Sequence, residues 1–279
     1  MDSDASVIRD ALRTDKGLER HAAAPGAHRY DRHAHDEYSV IVVTQGRKLL
    51  RIGREEHVVY KDQIVLVPPG ASHDCEPIGQ SDWAHRCWYL SPGLVAELTN
   101  QPAARTDALR LETVVAKPFF ARTLTTLHNA LSDPARASDD QLSCRLRQLS
   151  LLADLFGDAM GPDALPARGP RRSRARAHAY DAALRDALSN KLDLDALAEL
   201  GGVTRFQVIR DLKAAYDMTP GTYLRDLRLR ESKRMLRQGH ALADVGQALG
   251  FADQSHFSRS FKRAYGMSPL RYRQSIQAT

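Results

Sequence analysis

Between Tyr38 and Leu90 the apolar residues arrive in short runs separated by turn formers, a pattern that predicts β-strands. The runs are Tyr38 to Val43, Lys48 to Ile52, His57 to Tyr60, Ile64 to Val67 and Trp83 to Leu90, with turn signals at Gly46, Gly53, Lys61-Asp62 and Pro68-Pro69-Gly70. This spacing predicts one small antiparallel barrel or sandwich over residues 21–95. Ahead of it, residues 1–20 form an arm in which Val7, Ile8, Leu12 and Leu18 support at most a marginal helix. Beyond it the period lengthens. Residues 104–131 and 138–160 read as helices, the second carrying Leu142, Leu146, Leu149, Leu152 and Phe156 at threes and fours, widened by Leu151 and Leu155. The segment 96–160 is therefore expected to be helical. Its broad face must pack either on the barrel or on a second subunit as a dimer interface, and periodicity does not choose between them.

Prolines, glycines and dense arginines then mark residues 161–177 as a linker. From 178 to 279 the pattern is helical again and duplicated at an offset of 49 residues: Asp195, Leu200, Gly201, Arg210, Lys213, Ala215, Tyr216, Met218, Pro220 and Tyr223 recur as Asp244, Leu249, Gly250, Arg259, Lys262, Ala264, Tyr265, Met267, Pro269 and Tyr272. Each copy reads as a short helix, a glycine turn and a second helix, the helix-turn-helix arrangement. In the first copy Thr204 is the expected cap. In the second, Asp253 caps the helix, Phe257, Phe261 and Tyr265 form its apolar stripe, Gly266 suits a left-handed end and Pro269 blocks continuation. A longer helix over 223–238 joins the two units. The predicted class is thus α+β and multidomain, an N-terminal antiparallel β-barrel with a helical segment and a C-terminal all-α domain.

Charge sharpens that division. Of the 279 residues, which carry a net charge of +6, those from 168 to 279 hold 21 Lys and Arg against 11 Asp and Glu, a balance of +10, while the rest hold 19 against 23, a balance of −4. A basic C-terminal half points to a polyanion, with a solvated basic surface as the alternative. The three cysteines, Cys75, Cys87 and Cys144, are odd in number and show no CxxC spacing, which fits a reducing cytoplasm. The N-terminus lacks the apolar core of a signal peptide, and no run approaches the ~18 apolar residues of a membrane span. The expectation is a soluble cytoplasmic protein without a membrane partner. No Ser-His-Asp arrangement or glycine-rich phosphate loop stands out.

The remaining chemistry lies in the barrel. His33 and His35 fall on one face of an extended segment, and His73 follows the Pro68-Pro69-Gly70 turn. Period two also puts Trp83, His85, Cys87 and Tyr89 on one side of their strand. These segments resemble the two cupin motifs, with Gly26, His33, His35 and Gly46 fitting the first and Pro68, Gly70 and His73 the second. Where that pattern expects a metal-binding Glu the chain has Ser39 or Val40, with Glu37 displaced, and Asp62 stands where a Gly is expected. His33, His35, His73, His85 and Cys87 are candidate effector-binding residues. His33, His35 and His73 could alternatively hold zinc or iron, although no cofactor is expected, or they could simply stabilise the sheet.

In the C-terminal half, Gly250-Phe251, Ser255-His256-Phe257-Ser258-Arg259, Phe261-Lys262, Gly266, Ser268-Pro269 and Tyr272-Arg273 resemble the AraC family of bacterial transcription regulators. The resemblance covers residues 178 to 276 and, less specifically, the cupin-like barrel. It implies sequence-specific binding to double-stranded promoter DNA in response to a small-molecule effector, as a homodimer, with contact to RNA polymerase and association with the nucleoid when bound. By motif position, Arg205, Phe206, Ile209, Arg210 and Lys213 of the first recognition helix, and Gln254, Ser255, Ser258, Arg259 and Lys262 of the second, are directed to DNA. Phe206 and Ile209 could equally be packing residues. The expected protein is a regulator and not an enzyme; the alternatives are a metal-dependent cupin dioxygenase or isomerase, or a metal or redox sensor using Cys75 or Cys87, fused to a DNA-binding domain.

Overall fold

The computed structural model describes residues 17–79, 82–99, 111–133, 135, 137–159 and 171–277. Residues 1–16 of the arm read as a marginal helix lie outside them, as does most of the linker; from Leu18 the arm is not helical but begins the first strand.

Among the described residues, nine strands make two antiparallel sheets. β1 (Leu18–Gly26), β8 (Trp83–Leu90), β3 (Tyr38–Gln45), β6 (Ile64–Val67) and β9 (Val114–Val115) pair in that order, and β2 (Tyr30–His33), β7 (His73–Pro77), β4 (Arg47–Ile52) and β5 (Glu55–Tyr60) form the second sheet. No hydrogen-bonded ladder among the described residues joins the two into a closed barrel, so the domain is a two-sheet sandwich. β3 shows why it holds together. Ile41 and Val43 face the second sheet and meet Leu50, Ile52 and Val59, while Tyr38, Val40 and Val42 face the other way onto helices. A strand covered on both sides needs a nearly continuous apolar run, and Tyr38 to Val43 supplies one broken only by the buried Ser39.

Among the described residues, three helices cover the outer face: α1 (Pro92–Thr99), α2 (Pro118–Leu131) and α3 (Ser138–Ala159). Residues 111–117, expected to be helical, are not. Val114 and Val115 add an edge strand, and the restriction that Pro118 places on Lys117 delays the helix to residue 118. Buried Arg20 donates from its guanidinium to the carbonyls of His128 and Leu131, both at 3.4 Å, satisfying the end of α2. The stripe of α3 divides: Leu152, Leu155 and Phe156 are buried against Tyr38 and Trp88, whereas Leu142 and Leu146 are 57% and 59% exposed.

The C-terminal domain is all helical: α4 (Arg171–Asp186), α5 (Leu194–Gly201), α6 (Arg205–Tyr216), α7 (Pro220–Arg237), α8 (Leu242–Ala248), α9 (Gln254–Tyr265) and α10 (Pro269–Gln277). Residues 171–177, read as linker, are the first turns of α4. Their order has a cause in Asp211, whose buried carboxylate accepts from Arg176 Nε at 2.6 Å and Ser173 Oγ at 2.6 Å. The duplication is structural as well. Thr204 and Asp253 cap α6 and α9 by accepting from the amides of Gln207 and His256, and both helices end on a left-handed residue, Asp217 or Gly266. Between them α7 acts as a clamp. Its Arg228 donates to the carbonyls of Leu188 (2.8 Å), Asn190 (2.7 Å) and Gly250 (3.0 Å), tying both units to one helix. No helix among the described residues is long and apolar enough to cross a membrane.

Candidate effector cavity and nucleic-acid interface

β2, β4, β7 and β8 carry the chemistry of the sandwich inward. His33, His35 and His73 lie with ring centroids 4.4 to 5.1 Å apart, and one nitrogen from each falls within 4.8 Å of the others. His85 stacks on Trp83 at 4.7 Å. These four imidazoles, with Tyr30, Lys48, Cys75, Trp83, Cys87 and Tyr89, line a cavity of about 30 Å³, room for roughly two waters. All five candidate effector-binding residues therefore share one space, and the side of β8 that bears Trp83, His85, Cys87 and Tyr89 faces inward.

Carbonyl oxygens fix the rings. His33 Nδ1 lies 2.7 Å from the Asp31 carbonyl and His73 Nδ1 lies 3.0 Å from that of Ala71. A carbonyl can only accept, so both Nδ1 atoms carry the proton and the Nε2 atoms present lone pairs. Burial holds all four imidazoles neutral, His73 falling to about 4 and His33, His35 and His85 lying well below the ordinary value. It also pushes the Cys87 thiol up to about 12 and raises Cys75, the opposite of a redox-active thiolate.

The displaced carboxylate has other work. Glu37 points to the helical domain, accepting from Arg237 at 2.8 Å beside Lys233 at 3.6 Å, so the three imidazoles gain no fourth ligand from it. Asp62, in place of the motif glycine, adopts φ 64°, the left-handed conformation a glycine would take. Sequence reasoning missed Lys48, although it shares the period-two face of Leu50 and Ile52 and was legible on that ground. It also missed Ala264, which closes the cavity from another domain.

That closure joins the two halves. Ala264 belongs to α9, and the next residue, Tyr265, places its ring 5.8 Å from His33 and 5.9 Å from His35. Around it Arg230 meets Asp36 at 2.7 Å, Arg237 meets Glu19 at 2.8 Å, and the Ala34 amide donates to Asp226 at 2.9 Å. A wider groove of about 440 Å³ runs beside these contacts, lined by charges of both signs.

On the outer side, α6 presents Arg205, Phe206, Arg210 and Lys213 to solvent, with Ile209 half-buried. Phe206 is 74% exposed, so packing does not account for it. Arg205 is ion-paired with Asp195. α9 exposes Gln254, Ser255, Arg259 and Lys262, with Ser258 half-buried, while Phe257 and Phe261 form its buried side.

Residues 15–156 match a family described as the AraC-like ligand binding domain, and residues 197–275 match one described as a helix-turn-helix domain. The chain is 27% identical over 280 residues to the MmsAB operon regulatory protein of Pseudomonas aeruginosa, covering 97% of this chain and 85% of that one. It is 34% identical over 103 residues to the transcriptional activator RhaS of Escherichia coli, covering 37% of each. The structure of ToxT from Vibrio cholerae O395 aligns with 95% of this chain and 100% of its own, with a TM-score of 0.52 and 11% identity, which shows a shared fold. With a ligand-binding sandwich ahead of a paired helix-turn-helix domain, the chain belongs to the AraC family of DNA-binding transcriptional regulators.

Proposed function

We propose that a small-molecule effector enters the sandwich cavity and thereby changes how α6 and α9 are held for promoter DNA. The observation that carries this reading is the shared wall: Ala264 of α9 closes the cavity and Tyr265 abuts two of its imidazoles. In a space of about 30 Å³, an occupant of more than a few atoms must displace residues that line it, and α9 is among them. The exposed faces of α6 and α9 would enter successive major grooves about one turn, ~34 Å, apart, held by the Arg228 clamp. Arg210 and Arg259 are the base-reading candidates, Lys213 and Lys262 phosphate contacts, and Gln254, Ser255 and Ser258 supplementary readers.

The protein would act in the cytoplasm as a homodimer, through the exposed Leu142 and Leu146 of α3, and in contact with RNA polymerase. Its role would be regulatory and not enzymatic, which fits the engagement of Glu37 by Arg237 away from the three imidazoles. Genome-wide mapping of bound DNA, followed by affinity measurements on a recovered site, tests the assignment. Arg210→Ala and Arg259→Ala are each expected to lose ~1–3 kcal/mol of specific binding. Unchanged binding by both variants overturns the proposed DNA-reading roles.

A further inference from the structure

The cavity holds one charge that nothing in the described chain answers. Lys48 reaches into it from β4, is 1% exposed, and has its ammonium 4.8 Å from the Trp83 ring centroid. No carboxylate among the described residues is ion-paired with it. The other deeply buried lysine is treated differently: Lys233 has Glu37 at 3.6 Å. Taking an ammonium out of water is costly, and a cation–π contact with one ring offsets only part of that cost. An anion inside the cavity is the partner that such a site lacks.

The imidazoles add a second requirement. With their Nδ1 protons committed to the Asp31 and Ala71 carbonyls, His33 and His73 have Nε2 lone pairs, which accept and do not donate; that of His33 already accepts from His35 Nε2 at 3.1 Å, and that of His73 stays open to the cavity. His35 Nδ1 and His85 Nδ1 are buried without a hydrogen-bond partner. Converging lone pairs also suit a divalent cation, but Lys48 is a like charge beside that position and already acts on His73 as one. A ligand negative at one end and hydrogen-bond-donating at the other satisfies both halves of the site.

We propose that the cavity binds a small organic monocarboxylate, its carboxylate on the Lys48 ammonium and a hydroxyl or similar donor on the open Nε2 lone pair of His73. This rests on the reading of the cavity as the effector site and names its ligand class. The step is non-covalent: an ion pair and hydrogen bonds form within walls that exclude water, so the charge pairing is stronger than at a surface.

The test is calorimetric titration of the full-length protein with acetate, propanoate, butanoate and lactate, each beside its primary amide, with zinc content measured on the same preparations. At least one acid is expected to bind at one per chain, and its amide and the Lys48→Met variant to bind roughly 10- to 100-fold more weakly. Met matches the length of Lys without its charge, and Lys48→Gln replaces it should that variant fail to fold. Equal binding of acid and amide, undiminished binding by Lys48→Met, no binding by any acid, or stoichiometric zinc that is lost in His33→Ala each overturns the proposal. Cys87→Met, which extends a side chain into the cavity, separates the two readings. If a neutral probe binds and Cys87→Met blocks it, the cavity is still the effector site and only the ligand class is wrong. If acid binding survives Cys87→Met, the site lies elsewhere and both readings fall.

Discussion

Arg32 of β2 reaches the end of the first recognition helix, where its guanidinium donates to the Asp217 carboxylate and, at 3.2 Å, to the Asp217 carbonyl. Two residues earlier Tyr30 lies against Gly266, the end of the second recognition helix. Asp217 and Gly266 are equivalent positions of the 49-residue duplication, and both are left-handed, at φ 55° and 74°. A four-residue strand of the sandwich thus touches the same point on both DNA-binding units. Whatever moves β2, whose His33 lines the cavity, moves a contact of each.

Breaking the Arg32 contact should loosen the first unit from the sandwich. Arg32→Ala also removes donors to Asp74 (3.0 Å) and Gly53 (3.1 Å), so a loss of about 1–3 kcal/mol in unfolding free energy is expected. Asp217→Ala should lose more than Asp217→Gly, because glycine relieves the left-handed strain by about 1 kcal/mol while both remove the carboxylate. Urea unfolding of the three variants checks this order. If Asp217→Ala and Asp217→Gly are equally stable, the strain argument is wrong.

Gly266 carries two constraints at once. A Cβ there would lie 2.7 Å from the Tyr30 ring, and φ is 74°. Gly266→Ala is expected to cost about 1 kcal/mol for the backbone and more for the clash. A cycle with Tyr30→Ala separates the two, since only the clash should vanish in the double variant. Additive effects in thermal unfolding would show that the contact contributes nothing.

The sequence made the helical half legible because duplication repeats every signal: caps, stripes and left-handed ends occur twice in register. The β-rich middle was equally plain wherever apolar runs were long, as in Tyr38 to Val43. What stayed hidden were β1, β2 and β7, because their stabilising partners are distant in the chain. Glu19, Arg20 and Arg32 look like surface residues, yet they are placed by Arg237, the end of α2 and Asp217. The cavity was half legible for the same reason. Period two brings His85 and Cys87 together within β8, but no local pattern reveals that Ala264, from the duplicated DNA-binding unit, closes it.

The divided stripe of α3 predicts opposite outcomes for neighbouring leucines. Leu152→Ala should cost about 2–5 kcal/mol, since Leu152 is fully buried against sheet and helices. Leu142→Glu with Leu146→Glu should leave unfolding nearly unchanged and shift the mass in solution from dimer to monomer. Light scattering decides it. A double variant that remains dimeric removes α3 from the proposed interface.

Phe206 offers a similar separation on the DNA side. At 74% exposure its removal costs little folded-state packing, so Phe206→Ala should melt within a degree or two of the parent. If the ring meets a thymine methyl, the variant loses affinity most on sites carrying that thymine, and replacement of the thymine by uracil in the site reproduces the loss. Titration of both proteins on both DNA sites provides the check, and equal affinities throughout exclude the contact.

Acid should weaken the fold through the cavity. An unfolded histidine takes up a proton near 6.5, whereas His73 in the fold does so only near about 4 and the other three imidazoles also lie well below the ordinary value. Between those limits the unfolded chain binds more protons, so stability is complete above about 6.5 and declines as the pH falls toward 4, by up to about 1.4 kcal/mol per unit for each such ring. Asp226 acts in the reverse sense. Burial raises it from 3.8 to about 6, so the folded chain holds a proton there that the unfolded chain has lost, and its contribution grows on acidification. His128, buried outside the cavity and held down to about 3, adds to the loss, so five rings against one carboxyl leave a net loss. Urea midpoints should fall between about pH 7 and about pH 5, and His73→Gln should flatten that slope. A midpoint that rises in acid, or a slope that His73→Gln leaves untouched, would place the titrating groups outside the cavity.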